Sequence, residues 1–169
     1  RLVPLATRLE CVRVFAESLQ GAKLSLAELM TAEMGKTLSD SAAEIDKSAK
    51  SCHFLRVNYP RWKEHLEYKM ANGFSVSHEP MGLLFGVMPW NFPLWQVVRF
   101  AVPALLSGNA IVLKHAAMTF GSAEFIADLF RSAFPDGLYQ NLLIDHDLSA
   151  RLIADRRIKG VSLTGSRRA

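Results

Sequence analysis

From Gly82 onward the chain repeats one unit: a short apolar run, a break rich in glycine, proline or polar residues, and a longer helix-like stretch. The apolar runs fall at 83–88, 110–113, 142–144 and 158–163, and the helix-like stretches at 94–106, 121–134 and 148–154. Short runs of three to six mainly apolar residues suit strands of a parallel sheet, and helices between them suit βαβ crossovers. The pattern therefore predicts an α/β fold: a Rossmann-like parallel sheet with helices on both faces. The 169 residues suffice for one such core or for a piece of a larger one.

The residues before Gly82 follow a different rhythm. Leu5, Leu9, Val12, Ala16 and Leu19 recur at spacings of four and three, as do Leu38, Ala42, Ile45, Ala49 and Cys52. Each set predicts an amphipathic helix that packs by one face, with Cys52 as a small buried hydrophobe. Between them Gly35 reads as a helix stop and Thr37 as an N-cap, with Asp40 three residues later. The Asn72-Gly73 pair predicts a type I′ turn and a β-hairpin over 66–80, and a two-stranded hairpin usually needs a partner surface. The expected division is a helical lead-in at 1–65, an oligomerisation arm at 66–80, and an incomplete Rossmann-like half at 82–169.

Composition excludes several classes. The chain is 50% hydrophobic and 21% charged, which is ordinary for a folded soluble protein. No apolar stretch approaches the ~20 residues of a membrane span, and no secretion signal is evident. Cys11 and Cys52 lack CxxC or metal spacing, so a cytoplasmic, reducing setting is expected. His53, His65, His78, His115 and His146 have no ligand-like spacing, and no metal is assigned. The net charge of +4 is unevenly placed: the final segment sets Arg151, Arg156, Arg157, Lys159, Arg167 and Arg168 against Asp155, and the rest of the chain is net −1. No aromatic residue lies among these to stack a base, so they read as solvated residues flanking a strand rather than a nucleic-acid site.

In an open parallel sheet, ligands bind at the carboxyl ends of the strands. Three segments lie there: PWNFP after the first strand, KHAA after the second and TGS after the fourth. Asn91 carries an amide that can donate to a developing oxyanion without titrating, or that can cap the following helix. Lys114 directly follows the second run, where its ammonium either meets solvent or holds a hydroxyl or phosphate oxygen in the crevice. Thr164-Gly165-Ser166 opens a helix, either as a simple N-cap or as an anion site. No GxGxxG, HExxH, GxSxG or Walker loop is present.

Together these segments resemble the aldehyde dehydrogenase superfamily. The matching pieces are LMTAEMGKTLSDSAAEI (29–45), EPMGLLFGVMPWNFPLWQ (79–96), ALLSGNAIVLKHA (104–116) and IKGVSLTGS (158–166), in the family's order and spacing. The nearest likeness is to bacterial NAD(P)-dependent succinate-semialdehyde dehydrogenases. The resemblance implies oxidation of an aldehyde, with Asn91 stabilising the oxyanion formed when a cysteine thiolate attacks, and with hydride passing to a nicotinamide cofactor. It also implies that Trp90, Lys114, His115, Ala116, Ala117, Gly165 and Ser166 border that cofactor. NAD-preferring members carry a glutamate where this chain has Ala117, so NADP is expected ahead of NAD.

The nucleophilic cysteine and catalytic glutamate of the family are expected beyond Ala169, as are a fifth strand and the catalytic domain. Residues 1–169 then form an inactive, partial cofactor domain that works within a homo-oligomer, without nucleic-acid or membrane partners. The alternative is a non-catalytic dinucleotide-binding or interaction module.

Overall fold

The computed structural model describes residues 3–66, 68–69 and 73–166. Three helices lead: α1 (Leu5–Gly21), α2 (Lys23–Met34) and α3 (Leu38–Leu66). The expected pair of helices is thus a trio, because the chain breaks at Ala22, whose N–H returns to the Ser18 carbonyl, before turning into α2. Gly35 ends α2 with φ +76°, the left-handed conformation that glycine adopts without a Cβ penalty. The expected cap of α3 is present: the Asp40 N–H donates to Thr37 Oγ1 at 3.1 Å.

A short antiparallel pair follows, β1 (Tyr68–Lys69) and β2 (Ser75–Val76), with Tyr68 opposite Val76 and Lys69 opposite Ser75. This register is centred on position 72, whereas a two-residue Asn72-Gly73 turn would centre it between 72 and 73. The hairpin therefore exists, but its described pairing does not fit the expected type I′ turn. Asn72 itself lies outside the described residues, and Gly73 has φ +88°.

The main sheet holds β3 (Leu83–Met88), β4 (Ala110–His115), β5 (Tyr139–Asn141) and β6 (Ile158–Leu163), all parallel, in the order β5-β4-β3-β6. Connecting them are α4 (Trp95–Leu106), α5 (Phe120–Ala133) and α6 (His146–Ile153). The β3→β4→β5 path moves one way across the sheet, and β6 then returns to the other side of β3. With right-handed crossovers, α4 and α5 share one face and α6 takes the other.

On the α4–α5 face the core is continuous with the leading helices. Phe15 of α1 stacks on Phe130 of α5 at 3.9 Å between centroids, and Phe130 stacks on Tyr139 of β5 at 4.1 Å. This stack explains why the third strand is 139–141 rather than the expected 142–144. Tyr139 pairs with Ile111 and is buried beneath Phe130, while Leu143 is 52% exposed in the loop beyond. Gly86 on β3 lets α4 pack closely, since a Cβ there would come within 2.7 Å of the Phe100 ring. Among the described residues no helix is long and apolar enough to cross a membrane.

Candidate functional site

The order β4-β3-β6 reverses the chain's direction of travel at β3, and a crevice opens outside the carboxyl ends of these strands. Its volume is about 680 Å³, and its walls include Trp90, Asn91, Lys114, Ala116, Ala117, Gly165 and Ser166. Seven residues singled out from widely separated segments therefore meet in one place.

The PWNFP loop leaves β3 at Met88 and enters α4. Asn91 is exposed, and among the described residues its amide makes no hydrogen bond. It does not cap α4. The leading N–H groups of that helix, from Leu94 and Trp95, donate instead to Oε1 of Glu44 on α3, at 3.0 and 2.8 Å. The Asn91 amide is left facing the crevice, where it can donate to an oxygen that gains charge.

Lys114 belongs to β4, which runs on through His115, so it is not a solvated strand-end residue. It is 6% exposed, opposes Val87 across the sheet, and among the described residues has no hydrogen bond or ion pair. Its stem is packed in the sheet while its ammonium opens on the crevice, where an anion can pair with it. Beside it Ala116 and Ala117 present only small side chains to the crevice, and opposite them Gly165 presents none. An anionic dinucleotide fits this combination of room and uncompensated charge.

His115 departs from the expected group. Side chains alternate along a strand, so its ring takes the opposite face from Lys114. There it is fully buried, and neither ring nitrogen has a hydrogen-bond partner. Burial first, and the Lys114 charge second, hold its pKa down at about 4, so the ring is neutral.

Thr164 continues the β6 pairing by donating its N–H to the Val87 carbonyl at 3.0 Å, which brings Gly165 and Ser166 to the rim. The helix expected to open there falls mostly on residues 167–169, outside the described residues.

Wall residues that were not expected include Gln96, Ile144, Asp145 and His146. Asp145 caps α6, its Oδ1 accepting from the Leu148 N–H at 2.8 Å, and an aspartate just before an amphipathic run is a readable signal for such a cap. The Gln96 Oε1 is buried without a hydrogen bond. Glu44 had no local signal, because its partners are 50 and 51 residues away.

The sequence pattern of the aldehyde dehydrogenase family matches residues 1–169. The chain belongs to the aldehyde dehydrogenase family. It is 40% identical over 171 aligned residues to a probable NADP(+) succinate-semialdehyde dehydrogenase of Synechocystis sp., covering 98% of this chain and 37% of that protein. To the NAD(P)+ succinate semialdehyde dehydrogenase Sad of Escherichia coli it is 39% identical, covering 96% of this chain and 36% of the relative. The crystal structure of a succinic semialdehyde dehydrogenase from Streptococcus pyogenes, in complex with NADP+, superposes with a TM-score of 0.92 at 31% identity. That match covers 97% of this chain and 36% of the other. The chain thus spans little more than a third of the relatives it matches, and it carries their mixed α/β fold with its parallel sheet.

Proposed function

We propose that residues 1–169 form the nucleotide-binding part of an NADP-dependent aldehyde dehydrogenase, with succinate semialdehyde as its substrate and succinate as product. The observation that carries this reading is the meeting of an unengaged amide, Asn91, and an ammonium without a partner among the described residues, Lys114, in one crevice at the sheet's reversal point. The relatives named for NADP and succinate semialdehyde supply the substrate and cofactor class.

In this reading Lys114 binds the ribose or its phosphate, Ala117 leaves room for a 2′-phosphate, and Gly165 and Ser166 border the pyrophosphate. Trp90 lies beside the nicotinamide half. The cofactor supplies the hydride acceptor when bound. Asn91 donates to the oxygen of the aldehyde as it becomes negative, an interaction that strengthens only as charge develops.

Neither cysteine of this chain serves as nucleophile. Both are buried, and burial pushes the Cys52 thiol up to about 12, far from the thiolate that attack requires. The residues 1–169 by themselves therefore bind but do not oxidise. We assign the β1–β2 hairpin to contact between copies of the enzyme, in the cytoplasm, on the strength of its position outside the main sheet.

The test uses the full-length polypeptide that carries this sequence, followed by the appearance of reduced cofactor with succinate semialdehyde and NADP+ or NAD+. Turnover that falls by about 10²–10³ in Asn91→Ala, with little change in KM, is the expected result. Absence of turnover with either cofactor, despite nucleotide binding, would favour a binding module instead.

A further inference from the structure

The loop that carries Asn91 is held by residues of the α2–α3 turn and of α3, well upstream in the sequence. Glu44 lies on α3 with its side chain 1% exposed, and its Oε2 is ion-paired with the ammonium of Lys36, in the α2–α3 turn. Its other oxygen accepts from the Leu94 and Trp95 N–H groups. The same Lys36 ammonium stands 4.1 Å from the centroid of the Phe92 ring, and Lys47 stands 3.9 Å from that of Trp95. The segment is thus gripped at Phe92, directly after Asn91, and again at Leu94 and Trp95.

We propose that Glu44, supported by Lys36, is a positioning residue for Asn91. This rests on the reading of Asn91 given above. Two physical consequences follow from the contacts. An amide that serves a developing oxyanion must be held within roughly 0.5 Å of its working position, and a loop anchored only by its own backbone does not achieve that. Second, asparagine is a strong helix capper, and the free N–H groups at the start of α4 would compete for its side chain. Because Glu44 takes those N–H groups, the Asn91 amide has no backbone partner to turn toward. The remote carboxylate therefore both fixes the loop and keeps the amide free.

The ion pair belongs to the same device. Oε1 of Glu44 serves the helix while Oε2 faces Lys36, so Glu44→Gln places either an amide NH₂ against the ammonium or a donor against the helix N–H groups. Lys36→Met keeps the apolar stem and removes both the ion pair and the cation over Phe92.

The deciding experiment is a double-mutant cycle in the full-length polypeptide, with kcat and KM for succinate semialdehyde and the Kd of NADP+ measured for each variant. Glu44→Gln is expected to lower kcat about tenfold or more, with KM and the NADP+ Kd changed by less than about twofold. In the Asn91→Ala background the same change should lower kcat by less than about twofold, since there is no amide left to misplace. Lys36→Met should reproduce this pattern, and it serves where Glu44→Gln fails to fold. Losses that multiply, or a kcat unchanged by both variants while Asn91→Ala is impaired, overturn the positioning role alone. An Asn91→Ala enzyme with unaltered kcat overturns the reading of Asn91 and this inference with it.

Discussion

The carboxylate of Glu33 closes the amino end of α5 through Ser122: its Oε2 accepts the Ser122 N–H at 2.9 Å and the Ser122 hydroxyl at 2.5 Å. Its Oε1 accepts the Gly121 N–H at 2.7 Å from 88 residues away. One side chain of α2 thereby satisfies two of the four unpaired donors of that helix and complements its dipole. Glu33→Ala is expected to lower stability by about 1–2 kcal/mol, and Glu33→Gln by less, since the amide retains one acceptor. In Gly121→Ala the Glu33 carboxylate must swing aside, since a Cβ would stand 2.7 Å from its Oε1, and the weakened cap offsets the better helix propensity of alanine, so the change should stay within about 1 kcal/mol. Denaturant midpoints of the three variants check this.

Lys114 separates stability from binding. Its stem is packed while its ammonium opens on the crevice, so Lys114→Met, which keeps an apolar stem, should change the stability of the nucleotide-free fold by less than about 1 kcal/mol. The same change should weaken NADP+ binding at least about tenfold, through loss of a charge-assisted contact. Thermal midpoints with and without nucleotide give both quantities from one protein. A destabilised variant would show that Lys114 already has a compensating partner.

At Ala117 the expected change is in cofactor choice. Ala117→Glu sets a carboxylate in the crevice where a 2′-phosphate would lie, and like charges in a partly desolvated site repel strongly. NADP+ affinity should fall about 10–100-fold while NAD+ affinity stays within about threefold, as titration of each cofactor would show. Equal losses for the two would mean that the position lies elsewhere along the cofactor.

His115 makes the fold sensitive to acid. In the unfolded chain its pKa is the ordinary 6.5, whereas in the fold it is held down at about 4, so between these values the unfolded state binds more protons. Stability from this residue is complete above pH 6.5 and is lost as the pH falls toward 4, by roughly 3 kcal/mol over the interval. Below pH 4 no further loss comes from it. His115→Phe should flatten the pH dependence of the unfolding midpoint in that window.

Much of this architecture is legible in the sequence because its causes are local. The run at 83–88 is a strand because it is apolar, short and bounded by Gly82 and Pro89, and Gly35 and Thr37 end and begin helices by their own backbone and side-chain preferences. What escaped depends on distant contact. Nothing near Tyr139 marks it as a strand, since the rings of Phe130 and Phe15 above it decide the matter. Likewise, nothing local marks Glu33 or Glu44, and only the arrival of α5 and α4 makes them caps. The site shows the same division. Asn91 and Lys114 stand out as polar groups where apolar runs stop, while His115 shares the same short segment yet takes the opposite face, because strand geometry alternates.

The return of the chain to β3 also sets a timetable. During synthesis β3, β4 and β5 emerge in the order in which they lie side by side, so each can pair with its predecessor as it appears. The opposite wall of the crevice, Thr164 to Ser166, is made last and must find a strand produced much earlier. The crevice proposed for the nucleotide therefore lacks this wall until that strand has docked. Nucleotide retention by nascent chains of increasing length would consequently report the docking of β6 itself.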